Sequence, residues 1–185
     1  VDQWPVGWVV LGLMSAATLP LAWIDLLHKQ GSSKIQTMWF WLILGLVSAV
    51  STLVWGRILA SFSGGRGPAL VFASAMLGAL PILVWPGPAA IFLSAILFGG
   101  SFLAGPTSIA IVVQRQLPVS SWTPALSLLT VAFALGQTLG PIITGAISDS
   151  TESITAGFWV SPVMLGTAAC VNLLQRPSKS GVDVG

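Results

Sequence analysis

Charge is what this chain has least of. Only 6% of its 185 residues are charged, against 55% hydrophobic, and the mean hydropathy is +0.92. Soluble domains carry about 25% charged residues. A chain this poor in charge cannot cover a globule with water-compatible groups, so a water-soluble domain is excluded and an integral membrane protein is left. Cysteine occurs once, as Cys170 inside an apolar run. That excludes a disulfide framework and a thiolate metal cluster, and the lone thiol reads as a small packing residue. Histidine also occurs once, as His28 in a lysine-bearing loop. Paired carboxylates are missing, and the glycine-rich GGRGP at 64–68 follows no strand and so makes no phosphate loop. No metal, cofactor, enzymatic activity or nucleic-acid partner is therefore expected; the expected surroundings are a lipid bilayer.

What is present is a series of continuous apolar runs of roughly 20 residues, the length of a membrane-spanning helix. A barrel would alternate apolar and polar residues in strands of about ten. Only helices satisfy the backbone of such runs internally. The fold class is all-α, a polytopic membrane protein of six transmembrane helices. The spans fall at about 6–23, 38–55, 68–85, 88–113, 123–147 and 154–174, making a bundle over 1–176 with a disordered tail at 177–185. Charge spacing supports these cuts: residues 67–114, 116–148 and 153–175 contain no charge. The turn signal WPGP closes the third span. No cleavable signal pattern precedes the first span, and the chain opens on Val1, so it reads as a piece of something longer.

Six spans put both termini on one side. One set of loops then holds Arg57, Arg66, Arg115, Arg176 and Lys179, and the other only Lys29 and Lys34. The excess of basic residues places the first set, with both termini, in the cytoplasm. A bacterial inner membrane is the expected location.

The second span runs directly into Gly56-Arg57-Ile58-Leu59 and a Gly/Arg-rich turn of Gly64, Gly65 and Arg66. This resembles the signature loop of the major facilitator superfamily, which joins the second and third helices of each six-helix half. The family's acid after the G-R-x-L portion is absent; Ala60 and Ser61 stand in the acid-base positions. GQTLGPIITGAISDST (Gly136 to Thr151) is similar to the eleventh helix of these proteins and its exit. ATLPLAW and FWLILGLVSAVSTLVWGR are similar to the seventh and eighth helices of the YbfB/YjiJ-like branch. The resemblance implies the carboxyl-terminal half of a twelve-helix secondary transporter, working with an amino-terminal half and an unknown small solute by alternating access.

Candidate site residues follow. Gly56, Arg57 and Arg66 are expected to form the cytoplasmic gate loop. Polar and small residues at helical spacing mark faces on four spans, from which Thr18, Thr52, Ser101 and Gln137 are the expected cavity residues. The other reading of such faces is that Ser and Thr bond carbonyls of their own helix and small residues permit close packing. Pro106, Gly136, Gly140 and Pro141 are expected to bend or pack helices. No ionisable side chain lies within a span, so a proton-titrating carboxylate is expected in the other half. The competing class is a six-span membrane scaffold or assembly protein without transport of its own.

Overall fold

The computed structural model describes residues 31–62, 64–85 and 87–174, and these are almost entirely helical. The expected first span, 6–23, and the tail lie outside the described residues. Five helical stretches among those described are long and apolar enough to cross a membrane: Lys34–Ser61, Arg66–Val84, Pro88–Arg115, Val119–Ser150 and Ile154–Leu174.

Helix α1 (Lys34–Ser61) opens on a reciprocal cap. The Ser33 hydroxyl accepts the Gln36 amide at 3.2 Å, and the Gln36 side chain accepts the Ser33 amide at 2.9 Å. Such a box satisfies two amides that the first helical turn leaves free. At 28 residues the helix is about 42 Å long, more than the ~30 Å hydrocarbon core needs, so both ends reach the interface. It stops at the Gly64–Gly65 turn, where Gly64 has φ +66°, a backbone state that a side chain resists.

Helix α2 (Arg66–Ala79) is extended by the single turn of α3 (Pro81–Val84). Gly87, at φ +141°, then reverses the chain into α4 (Pro88–Phe102), with Pro88 at the first helical position. The expected fourth span is not one helix. It breaks at Leu103 and resumes as α5 (Ala104–Gln116). Pro106 explains the break: its ring excludes the carbonyl of Phe102, four residues back, and it offers no N–H to that carbonyl. Pro106 therefore lies in the first turn of a new helix rather than at a bend within a continuous one. A 3₁₀ turn, Val119–Ser121, leads into α6 (Trp122–Ser150), which contains Pro141. Helix α7 (Ile154–Leu174) follows a tight turn and contains Pro162.

Neighbours in sequence are not always neighbours in space. Helix α4 is wedged between α1 and α2, α2 packs on α7, and α7 carries α6, giving the order α1, α4, α2, α7, α6. Phe40, Phe72, Phe98, Phe158 and Leu165 are fully buried along this line. Between helices in lipid the driving force is close packing and hydrogen bonding, because tails are as apolar as the core. The packing is correspondingly tight. A Cβ on Gly99 would lie 2.8 Å from the Leu44 carbonyl oxygen, and one on Gly78 would overlap the Phe98 backbone. Cys170, expected as a packing residue, is instead exposed on α7.

Candidate gate loop and polar faces

The gate loop is shorter than expected. Gly56 and Arg57 belong to α1, which continues to Ser61; Ile58, Leu59 and Ala60 are adequate helix formers, and an isolated glycine costs only about 1 kcal/mol. The true link is residues 62–65. Beyond it, Leu59 of α1 packs on Gly67 of α2, its Cδ2 lying 2.9 Å from where a Gly67 Cβ would stand. That is the packing reason for Leu and Gly at those two places. Arg57 and Arg66 are exposed. Arg66 opens α2, whose amino end has no side-chain cap, so its charge faces the positive end of the helix dipole.

A third arginine makes contacts that, among the described residues, the loop's own arginines do not. Arg115, near the end of α5, donates from Nη1 to the Phe62 carbonyl at 2.6 Å and from Nη2 to the Ala60 carbonyl at 3.2 Å. Those carbonyls end α1, and a cation there both satisfies free acceptors and complements the dipole. In the sequence Arg115 counted only as a loop charge. The distance of about 50 residues along the chain hid its partner, as the contact depends on α5 lying beside α1.

Of the expected cavity residues, Thr18 lies outside the described residues. Thr52 is half-buried and bonds the Ala49 carbonyl of its own helix at 2.8 Å. Ser101 is buried and bonds Leu97 and Phe98 carbonyls within its own helix. The same stripes do make contacts between helices, through other members. The Ser48 hydroxyl donates to the Gly99 carbonyl at 2.8 Å, Trp55 Nε1 to the Gly100 carbonyl at 2.5 Å, and the Ser94 hydroxyl to the Gly78 carbonyl at 2.5 Å. Two of these acceptors sit just before the α4–α5 break, where the Leu103 amide turns to the Ser101 carbonyl. The break thus leaves backbone acceptors that α1 serves.

Gln137 is placed differently. It is exposed at the middle of α6, and its amide forms no hydrogen bond among the described residues. Helical spacing puts Ser127, Thr130, Ala134 and Pro141 on its face. Leu128, Leu135, Leu139 and Ile142 form an exposed apolar stripe on the opposite side of the helix. Gly136 is buried and Gly140, one turn from Gln137, is half-buried. Where α6 meets α7 the close approach is at Gly157, whose Cβ would overlap Ser148 and Thr144.

A buried amide was not anticipated. Asn172 is 2% exposed on α7; its Nδ2 donates to the Ala168 carbonyl at 2.7 Å and its Oδ1 has no partner. A lone Asn in an apolar run was its only signal. Among the described residues no group of His, Cys, Asp or Glu comes together that could hold a metal.

The family described as "Uncharacterised MFS-type transporter YbfB" matches residues 4–173, nearly the whole chain. A comparison with curated proteins returned no match.

Proposed function

The chain belongs to this MFS-type transporter family, and on that premise we propose that it is the carboxyl-terminal six-helix half of a secondary transporter that moves a small solute by alternating access. The observation that carries the reading is Gln137. An amide left unpaired in hydrocarbon costs roughly 2 kcal/mol or more, yet Gln137 stands mid-helix on an open face beside Ser127 and Thr130. Such a face suits a water-filled path shared with a second bundle. Gln137 is the solute-contacting residue in this proposal. Thr18, from the first span, joins it, while Thr52 and Ser101 border the path with hydroxyls already bonded to their own helices. Gly56, Arg57 and Arg66 mark the cytoplasmic end, both termini lie on that side, and the membrane is the bacterial inner membrane. An amino-terminal half covers α6.

The test is thiol accessibility in membranes carrying the intact gene product, with Cys170→Ser as background. Cysteines at Ser127 and Gln137 are expected to react with a water-soluble thiol reagent, and cysteines at Leu128 and Leu135 to resist it. Protection of both polar positions would favour the scaffold reading, in which the stripe is a dry helix contact. Reading the gene upstream of Val1 checks the half-bundle separately: six further spans are expected there.

A further inference from the structure

The buried amide of Asn172 is satisfied at one end only. Its Nδ2 donates to the Ala168 carbonyl at 2.7 Å, which fixes the orientation of the group, because a flipped amide would set oxygen against oxygen. The donor end is thus spent on α7 itself. Oδ1 is left as a buried acceptor to which no protein group donates, an arrangement that costs about 1–3 kcal/mol if nothing fills it.

The packing of α7 on α2 sets the level of that acceptor. These helices belong to the second and fifth described crossings, so they run in opposite directions. Gly166 and Met76 are matched positions, a Gly166 Cβ lying 2.8 Å from the Met76 Sδ. Moving from there toward the end of α7 and the start of α2, about 9 Å along each, brings Asn172 to the first turns of α2. Gly67, Pro68 and Ala69 are buried there. That end of α2 has donors to spare. It has no side-chain cap, and the Ala69 amide makes its first bond, to the Gly65 carbonyl at 3.0 Å. The amides of Arg66 and Gly67 come before that bond, and Pro68 has no N–H. A buried acceptor and a buried donor therefore stand at one level on adjacent helices.

We propose that Asn172 Oδ1 and the Gly67 amide hold one water molecule between them, which accepts from the Gly67 N–H and donates to Oδ1. An anion would suit the amide and the helix dipole but not the Asn172 oxygen; a cation would suit the oxygen but not the dipole or the neighbouring Arg66 charge. Water alone satisfies both, and a bridging water is nearly as good as a direct bond. It supplies the cap that the sequence of α2 omits and ties the last turn of α7 to the first of α2. A water-bonded amide keeps its exchange partner beside it, so the bridge orders the turn without shielding it from hydrogen exchange. The site is independent of any solute path along α6.

Water-edited solid-state NMR of the intact gene product in liposomes provides the test. Labelling with carbonyl-¹³C arginine and ¹⁵N glycine selects the Arg66–Gly67 amide, and Arg66→Lys assigns it by loss of that signal. Rapid magnetisation transfer from water to the Gly67 amide is expected, with none to the amide of Gly78, which is packed against the Phe98 backbone. In Asn172→Leu the transfer to Gly67 is expected to be lost. A parent protein without transfer at Gly67 overturns the proposal, and so does transfer that persists in Asn172→Leu, since bulk water would then reach the amide unaided. If Asn172→Leu does not fold, the parent decides. Transfer to both the Gly67 amide and the Asn172 side-chain carbonyl upholds the bridge, and transfer to Gly67 alone overturns it.

Discussion

Helices α4 and α6 are both apolar enough to cross a membrane, but they are built for opposite surroundings. Around α4 the backbones touch: Gly99 meets Leu44, Gly78 meets Phe98, and side chains of α1 reach its carbonyls. Along α6 only 17% of the most apolar window is buried, against 44% for the stretch containing α4 and α5, and its midpoint carries an amide with no hydrogen bond among the described residues. The lesson is that the helix with the lower burial is the one whose polar stripe is exposed. The tight region supplies stability, and the loose one leaves a face of α6 uncovered among the described residues.

Substitutions can break or sharpen this contrast. The largest effect is expected from Gly99→Leu, which forces a side chain into the Leu44 backbone and should cost about 3 kcal/mol, the upper range for overpacking. The same change at Gly145 on α6, where nothing lies within 4 Å of the added Cβ, should cost less than about 0.5 kcal/mol. Thermal unfolding in detergent, followed by retained monodisperse protein, compares them directly; equal losses would erase the distinction. Trp55→Phe keeps most of the volume and removes the bond to the Gly100 carbonyl, for an expected loss of about 1 kcal/mol, and Ser48→Ala should lose about 0.6 kcal/mol, the average for hydrogen bonds between membrane helices. Smallest is Gln137→Leu, which removes no hydrogen bond among the described residues and should leave the stability within about 0.5 kcal/mol of the parent. A destabilisation as large as that of Trp55→Phe would mean that Gln137 is structural.

Much of the organisation was legible because charge deficits are a global signal. The charge-free stretches coincide with helices long and apolar enough to cross a membrane, and the chain reverses at Gly87 beside WPGP. The family was legible too, from the order of G-R-x-L and the later GQTLGP stretch within the spans. What stayed hidden depends on the opposite helix. Gly136 and Gly140 looked like a crossing, and Gly136 is buried; the close approaches among the described residues at Gly78, Gly99 and Gly157 left no such signal, because spacing along one helix does not say which glycine will face a backbone. Gly56 looked like a hinge because glycine often ends helices, but its neighbours on both sides favour continuing. Ser101 and Thr52 carried the right chemistry for a cavity, and hydroxyls of this kind are met by carbonyls one turn away. Arg115 shows the limit most clearly, because a carbonyl acceptor leaves no mark in a sequence.

The two helix starts at either end of α1 and its loop differ in a way that sets an order of opening. Helix α1 begins with the Ser33–Gln36 box, while α2 begins uncapped, with Arg66 at the end of the dipole that repels it. Amide hydrogen exchange should therefore run ahead at the first turn of α2 and lag at the first turn of α1, although both lie at a membrane boundary. The weak point of the packed block is then a single turn beside the Gly64–Gly65 link, and its strength depends on how firmly Leu59 stays closed over Gly67.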